Sequence, residues 1–186
     1  MSLKVLVVPE DPTYNGAILQ PVVERILLEV GKPNAVVKVL TDPKLNGISD
    51  AKRAIREELP SRYKHVPLWL FIPDADQAGN LRSLEEEMQA RGIPLLCCAA
   101  QPEVEVWLLV GFRNKLGLDW EMARRHSRLK EKIFAPFLAQ NGDRRLPDGG
   151  RGELTRETLK NYRGLRKVCP EIAEFEERIA RFLAHK

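Results

Sequence analysis

Cysteine is scarce in this chain and badly placed for pairing. Cys97 and Cys98 are adjacent inside the apolar run IPLLCCAA, Cys169 stands alone, and no CxxC occurs. With only His65, His126 and His185 scattered along the chain, this argues against a zinc site or a disulfide framework. Long apolar runs are also missing. None approaches the ~18 residues that a membrane helix needs. The opening MSLKVLVVPEDP has too short an apolar stretch for a signal peptide and turns acidic at once, so a cytoplasmic protein with no membrane partner is expected. The phosphate-binding pattern GxxxxGK[ST] is absent, and Gly149-Gly150-Arg151-Gly152 follows no strand, which leaves no support for a glycine-loop nucleotide enzyme. There is no internal repeat.

What is present is enough for one core. At 186 residues and 44% apolar, the chain can bury one substantial interior and has little left for a second. Charged residues make up 30% and leave a net charge of +4, unevenly distributed. Residues 1–111 carry 12 Lys/Arg against 15 Asp/Glu, whereas residues 112–186 carry 18 against 11. Such asymmetry suggests that the C-terminal part faces a polyanion.

The apolar pattern alternates between strand and helix. LKVLVV (3–8), AVVKVL (35–40), VPLWLFI (66–72) and IPLLCCAA (93–100) read as strands buried on both faces. Between them, 17–31 has helical spacing with Pro21 in about its first turn, DAKRAIREELPSRY reads as one helix capped by Ser49 or Asp50, and 81–92 is amphipathic. Strict alternation predicts an α/β fold: a parallel, Rossmann-like sheet of about four strands with flanking helices. EVEVWLLVGFRNKLG (103–117) is read as helix. Beyond it lies a basic helical extension, with a loop at 141–153 expected to be mobile and two final helices, the last opening at Pro170. The boundaries are 1–112 for the α/β domain and 113–186 for the extension packed on it.

Two acidic clusters each follow a strand: Glu10-Asp11 after the first and Asp74-Ala75-Asp76 after the third. Right-handed crossovers put both at the edge where such sheets bind ligands. Converging carboxylates repel one another, and a hard cation such as Mg²⁺ or Mn²⁺ relieves that repulsion. Asp76 or Asn80 is also suited simply to cap the following helix.

Asp74-Ala75-Asp76-Gln77-Ala78-Gly79 resembles the DxDxxG motif of Toprim domains, found in topoisomerases, primases and nucleases of the OLD type. Glu10 matches that family's lone glutamate after strand one, and Pro102-Glu103-Val104-Glu105-Val106-Trp107 is similar to a signature of small stand-alone Toprim-like proteins of the RloB and OLD groups. The resemblance covers roughly residues 1–112. It implies Mg²⁺ held by Asp74 and Asp76, with Asp11 nearby, and Glu10 as the proton-transfer group. It also implies a further ligand at Glu103 or Glu105, with Glu105 preferred. The chain departs from the family at Asp11, where glycine is usual, and at Tyr14, where related nucleases often carry an acid.

A metal-dependent nuclease acting on DNA or RNA is the function these residues suggest, with Arg124, Arg125, Arg128, Lys130, Lys160, Arg163 and Lys167 gripping phosphates. Lys160, Arg163, Arg166 and Lys167 have the spacing of one helical face. The alternative is a catalytically inactive Toprim-like module that binds nucleic acid or a protein partner in a defence or restriction system, a reading that Asp11 and Tyr14 favour. A phospho-acceptor receiver domain also gathers acids after its first and third strands. It needs a hydroxyl residue after the fourth strand and a lysine after a fifth, and neither is found here. Trp69 and Trp107 lie in apolar runs and read as core, whereas Trp120 follows Asp119 at a helix start.

Overall fold

The computed structural model describes residues 2–11 and 13–185, the side chain of Gln77 excepted. The strands are β1 (Lys4–Pro9), β2 (Val36–Val39), β3 (Leu68–Ile72) and β4 (Leu95–Cys97). They form one sheet in the order β2-β1-β3-β4, with every pairing parallel. Helices α1 (Gly16–Glu29), α2 (Ile48–Glu57), α3 (Leu59–Tyr63) and α4 (Leu81–Ala90) fill the connections. After β4 come α5 (Glu105–Leu109), α6 (Trp120–Arg124), a π-helical turn Lys130–Phe134 that runs into α7 (Ala135–Asn141), then α8 (Arg151–Leu159), α9 (Tyr162–Val168) and α10 (Pro170–Ala184). The α/β architecture expected from the alternation is present.

Strand periodicity explains the two-sided burial, since successive side chains point to opposite faces. Val5, Val7, Leu68, Leu70, Ile72 and Leu96 belong to one core with α1 and α5. Leu6, Val8, Trp69, Phe71, Leu95 and Cys97 belong to the other, against α2, α3 and α4. The extension is no separate layer: Leu165, Ile172, Phe175 and Ile179 are buried in the first core beside β1 and β3. The three cysteines are buried and free, and no helix among the described residues is long and apolar enough to cross a membrane.

Several local expectations need correction. Pro21 sits in the second turn of α1, not the first, and lacks the N–H that would bond the Ala17 carbonyl. Gly47, not Ser49 or Asp50, occupies the N-cap of α2, while Asp50 accepts the Asn46 N–H and pairs with Arg53. Pro60 splits the expected single helix into α2 and α3. The two expected final helices are three, because the Asn161 side chain accepts the Gly164 N–H and starts α9 anew. Within 141–153, residues 142–150 form a loop of turns, as expected, but the last three residues open α8, where Asp148 accepts the N–H groups of Gly150 and Gly152.

The free edge of β4 is covered by side chains. Glu85 of α4 accepts the Cys97 N–H, and Arg178 of α10 donates to the Cys97 carbonyl (2.7 Å) and to both Glu85 oxygens (2.6 and 2.7 Å). This clamp ties the last helix to the strand that leads into the acidic edge. Arg178→Ala strands the Glu85 carboxylate and is expected to cost about 3 kcal/mol. A denaturant midpoint equal to that of the wild type would show that the clamp holds nothing.

Candidate functional site

The chain runs from β1 outward to β2 and then back across to β3, so strand order reverses between β1 and β3. That is the position where open α/β sheets bind ligands. The pairing Pro9↔Ile72 brings the ends of these two strands level. One residue on, the Glu10 Oε2 accepts the Asp74 N–H at 3.1 Å. An isolated parallel bridge Asp74↔Ala100 draws in the segment after β4, and the Ala75 N–H reaches the carbonyls of both Ala100 and Pro102 at 2.9 Å. The Asp74 Oδ1 then accepts the Val104 N–H at 2.9 Å. The glycine closing the DxDxxG run adopts φ +59°, which disfavours a side chain, and Asn80 caps α4 through the Ser83 N–H.

Three strand ends therefore bring Glu10, Asp74, Glu103 and Glu105 together. Asp76 lies beside them, exposed on a single 3₁₀ turn, and the half-buried Asp11 accepts the Thr13 N–H at 2.8 Å. Glu105 is the unusual member. Its residue is 0% exposed, and neither carboxyl oxygen accepts a hydrogen bond of ordinary geometry. A buried polar group left this way is costly. Among the described residues its one ionic contact is Lys130 Nζ, 3.2 Å from Oε1. Lys130 is pinned at its other end too, its backbone N–H donating to Glu103 Oε2 at 2.9 Å.

The electrostatics follow from burial and crowding. Burial raises the pKa of Asp74 to about 7. Glu105 adds to this, with Glu10 and Glu103 contributing, against the opposing Val104 N–H. Burial also raises Glu10, partly offset by the Asp74 N–H and reinforced by Asp76. Glu103 is raised by burial and by Glu105, against the Lys130 N–H. For Lys130, burial alone would lower the pKa, but Glu105 outweighs it, helped by Asp11 and Asp74, and the ammonium is held more firmly charged.

The basic residues divide. Arg124 is structural: it forms a two-pronged pair with Glu171 (2.8 and 3.1 Å) at 13% side-chain exposure. Glu171 also accepts the Trp107 Nε1–H at 3.0 Å, so this network anchors α5, the helix that carries Glu105. Lys130 belongs to the acidic cluster. Arg128 and Lys160 are exposed but paired with Glu131 and Glu157. Arg125, Arg163 and Lys167 are exposed. The single helical face expected for Lys160, Arg163, Arg166 and Lys167 does not form, because the chain breaks at Asn161, and Arg166 pairs with Glu176. Trp69 and Trp107 are core residues, as expected, and Trp120 is half-buried beneath Arg113. The role of Lys130 within the cluster was not legible in its sequence neighbourhood, where it is one cation among several.

Among the described residues, no three Asp, Glu, His or Cys side chains stand close enough as placed to hold an ion. Glu10 and Asp74 are turned to backbone N–H groups, and Glu105 to Lys130. The donor chemistry nonetheless fits a hard cation: the groups are all oxygen, and the buried Glu105 carboxyl has no partner among the described residues beyond the Lys130 ammonium. Comparison with family models, with curated proteins and with solved structures finds no match to this chain. The fold class and the acidic sheet edge are thus what define it.

Asp74 provides a pH test. Its ordinary pKa is 3.8, and here it is about 7, so the folded chain retains a proton that the unfolded chain releases. The stability this contributes is full below about pH 4 and is lost as pH rises through about 7. In chelator, Asp74→Asn keeps the acceptor for Val104 but removes the charge. The variant is expected to exceed the wild type in stability by up to about 4 kcal/mol at pH 8 and to match it near pH 4. Denaturant titration at the two pH values decides the matter, and no gain at pH 8 would contradict the crowding.

Proposed function

We propose that this chain is a divalent-metal-dependent phosphodiesterase of the Toprim type, a nuclease acting on DNA or RNA. The observation that carries the reading is the meeting of Glu10, Asp74 and Glu105 at the strand-order switch, with the Glu105 carboxyl buried and short of partners. Asp74, Asp76 and Glu105 would hold the ion, with Asp11 and Glu103 beside them. A bound ion would orient a phosphate and offset the charge that develops on cleavage. Glu10, whose pKa lies above the usual carboxylate range, suits proton transfer near neutral pH. One of its oxygens is fixed by the Asp74 N–H, which leaves Oε1 for a proton on water or on a leaving oxygen. The exposed cations Arg125, Arg128, Arg163 and Lys167 supply sequence-independent phosphate contacts.

Purified protein incubated with plasmid, linear DNA, single-stranded DNA and RNA tests this reading. Cleavage is expected in Mg²⁺ or Mn²⁺, none in EDTA, and none by Asp74→Asn, which should remain folded. Full activity of that variant would remove the site assignment.

Lys130 favours a second reading. Its ammonium already supplies positive charge to Glu105, and a chain of this fold could bind nucleic acid or a protein partner in a defence or restriction system without catalysis. Calorimetric titration of Mn²⁺ separates the two. The enzyme reading expects the wild type to bind the ion and Lys130→Met to bind it more tightly. The module reading expects no binding by the wild type, and by Lys130→Met at most a newly acquired site.

A further inference from the structure

Two residues that stand 137 positions apart in sequence meet at the rim of the acidic edge. Tyr14 follows Glu10 and Asp11 in the loop after β1, and the Asp11 side chain, by accepting the Thr13 N–H, sets the turn that leads into it. Arg151 opens α8. Its guanidinium lies over the Tyr14 ring, 4.4 Å from the centroid, and 5.5 Å from the centroid of Phe134. Phe134 is buried and ends the π-helical turn that begins at Lys130. The stack is therefore bracketed by the Glu10 loop on one side and the Lys130 turn on the other.

Tyr14 remains 43% exposed even with the guanidinium over its ring, and it is the one exposed aromatic residue among the described residues. Arg151 is held by its donation to the Asp148 carbonyl at 2.7 Å, while its Nε is buried without a hydrogen-bond partner. A rigidly backed, solvent-facing ring beside a phosphate-directed site has a specific use. Unpaired bases stack on aromatic rings with little regard to sequence, whereas bases within a duplex are already stacked on their neighbours.

We propose that the Tyr14–Arg151 stack is a base platform that makes single-stranded nucleic acid the preferred ligand of this edge. The proposal rests on the nucleic-acid reading above and adds the strand state of the substrate. Tyr14 receives an unpaired base next to the phosphate presented to the acidic cluster. Arg151 fixes the ring from behind, as a positioning residue.

Binding measured in EDTA separates this claim from cleavage and from metal. The probes are a fluorescein-labelled 15-mer of deoxythymidine and a labelled 15-base-pair duplex, read by anisotropy. Relative to the wild type, Tyr14→Ala is expected to weaken single-strand binding roughly tenfold, Tyr14→Phe by less than about twofold, and neither to change duplex binding. A wild type that does not bind the single strand, a Tyr14→Ala that binds it equally well, or an equal loss on both probes overturns the proposal. Photocrosslinking of the wild type to a 15-mer carrying 5-iodouracil keeps the test open should Tyr14→Ala misfold. A mapped adduct at Tyr14 is expected, and adducts confined to other residues contradict the platform. If the protein cleaves nothing but these results hold, the nuclease reading fails and the platform stands.

Discussion

The parallel pairing of β1 with β3 is the contact on which the rest of the edge depends. It sets the ends of the two strands level, so that Glu10 can accept the backbone N–H of Asp74. Once Asp74 is held there, its own side chain accepts the Val104 N–H, and that bond positions the short helix bearing Glu105. Each link is a backbone N–H satisfied by a carboxyl oxygen, so fold and acid cluster are one hydrogen-bonded construction. The repulsion it concentrates is opposed by Lys130, tied to Glu103 at its backbone and to Glu105 at its side chain.

The helical extension serves this arrangement from behind. Helix α5 is buried at every residue, which requires closely packed cover. Gly111 permits that cover, since a Cβ there would meet the Thr158 backbone at 2.9 Å, and Thr158 Oγ1 donates to the Leu108 carbonyl at 2.5 Å. On another side, Glu171 joins Trp107 to Arg124. A buried pair of this kind adds less net stability than its geometry suggests. Its consequence here is orientation, because it fixes the helix whose first residue is Glu105.

Much of this could be read from the sequence for identifiable reasons. Continuous apolar runs of strand length alternating with helical spacing implied a parallel sheet, and the right-handed crossovers of such a sheet place both acid clusters at one end. Glu105 was preferred to Glu103 because it directly precedes the Val106-Trp107 anchor, and what the structure adds is that Glu105 is the fully buried one of the two. The basic tail was less legible. A helical period can be counted across Lys160 to Lys167, but Asn161 caps a new helix and resets the phase. Arg124 resembled a surface cation because its partner lies 47 residues away, and Lys130 could not be told from Lys132 until the π-helical turn set it against Glu105.

A divalent cation proposed at this edge would sit against Glu105, where the Lys130 ammonium lies in this structure. Anomalous diffraction from crystals soaked in Mn²⁺ tests it most directly. The account expects one strong peak in coordination contact with the carboxyl oxygens of Asp74 and Glu105, and the Lys130 ammonium displaced from Glu105. Crystals that show no peak at this edge, with Lys130 still paired to Glu105 at saturating Mn²⁺, would contradict it.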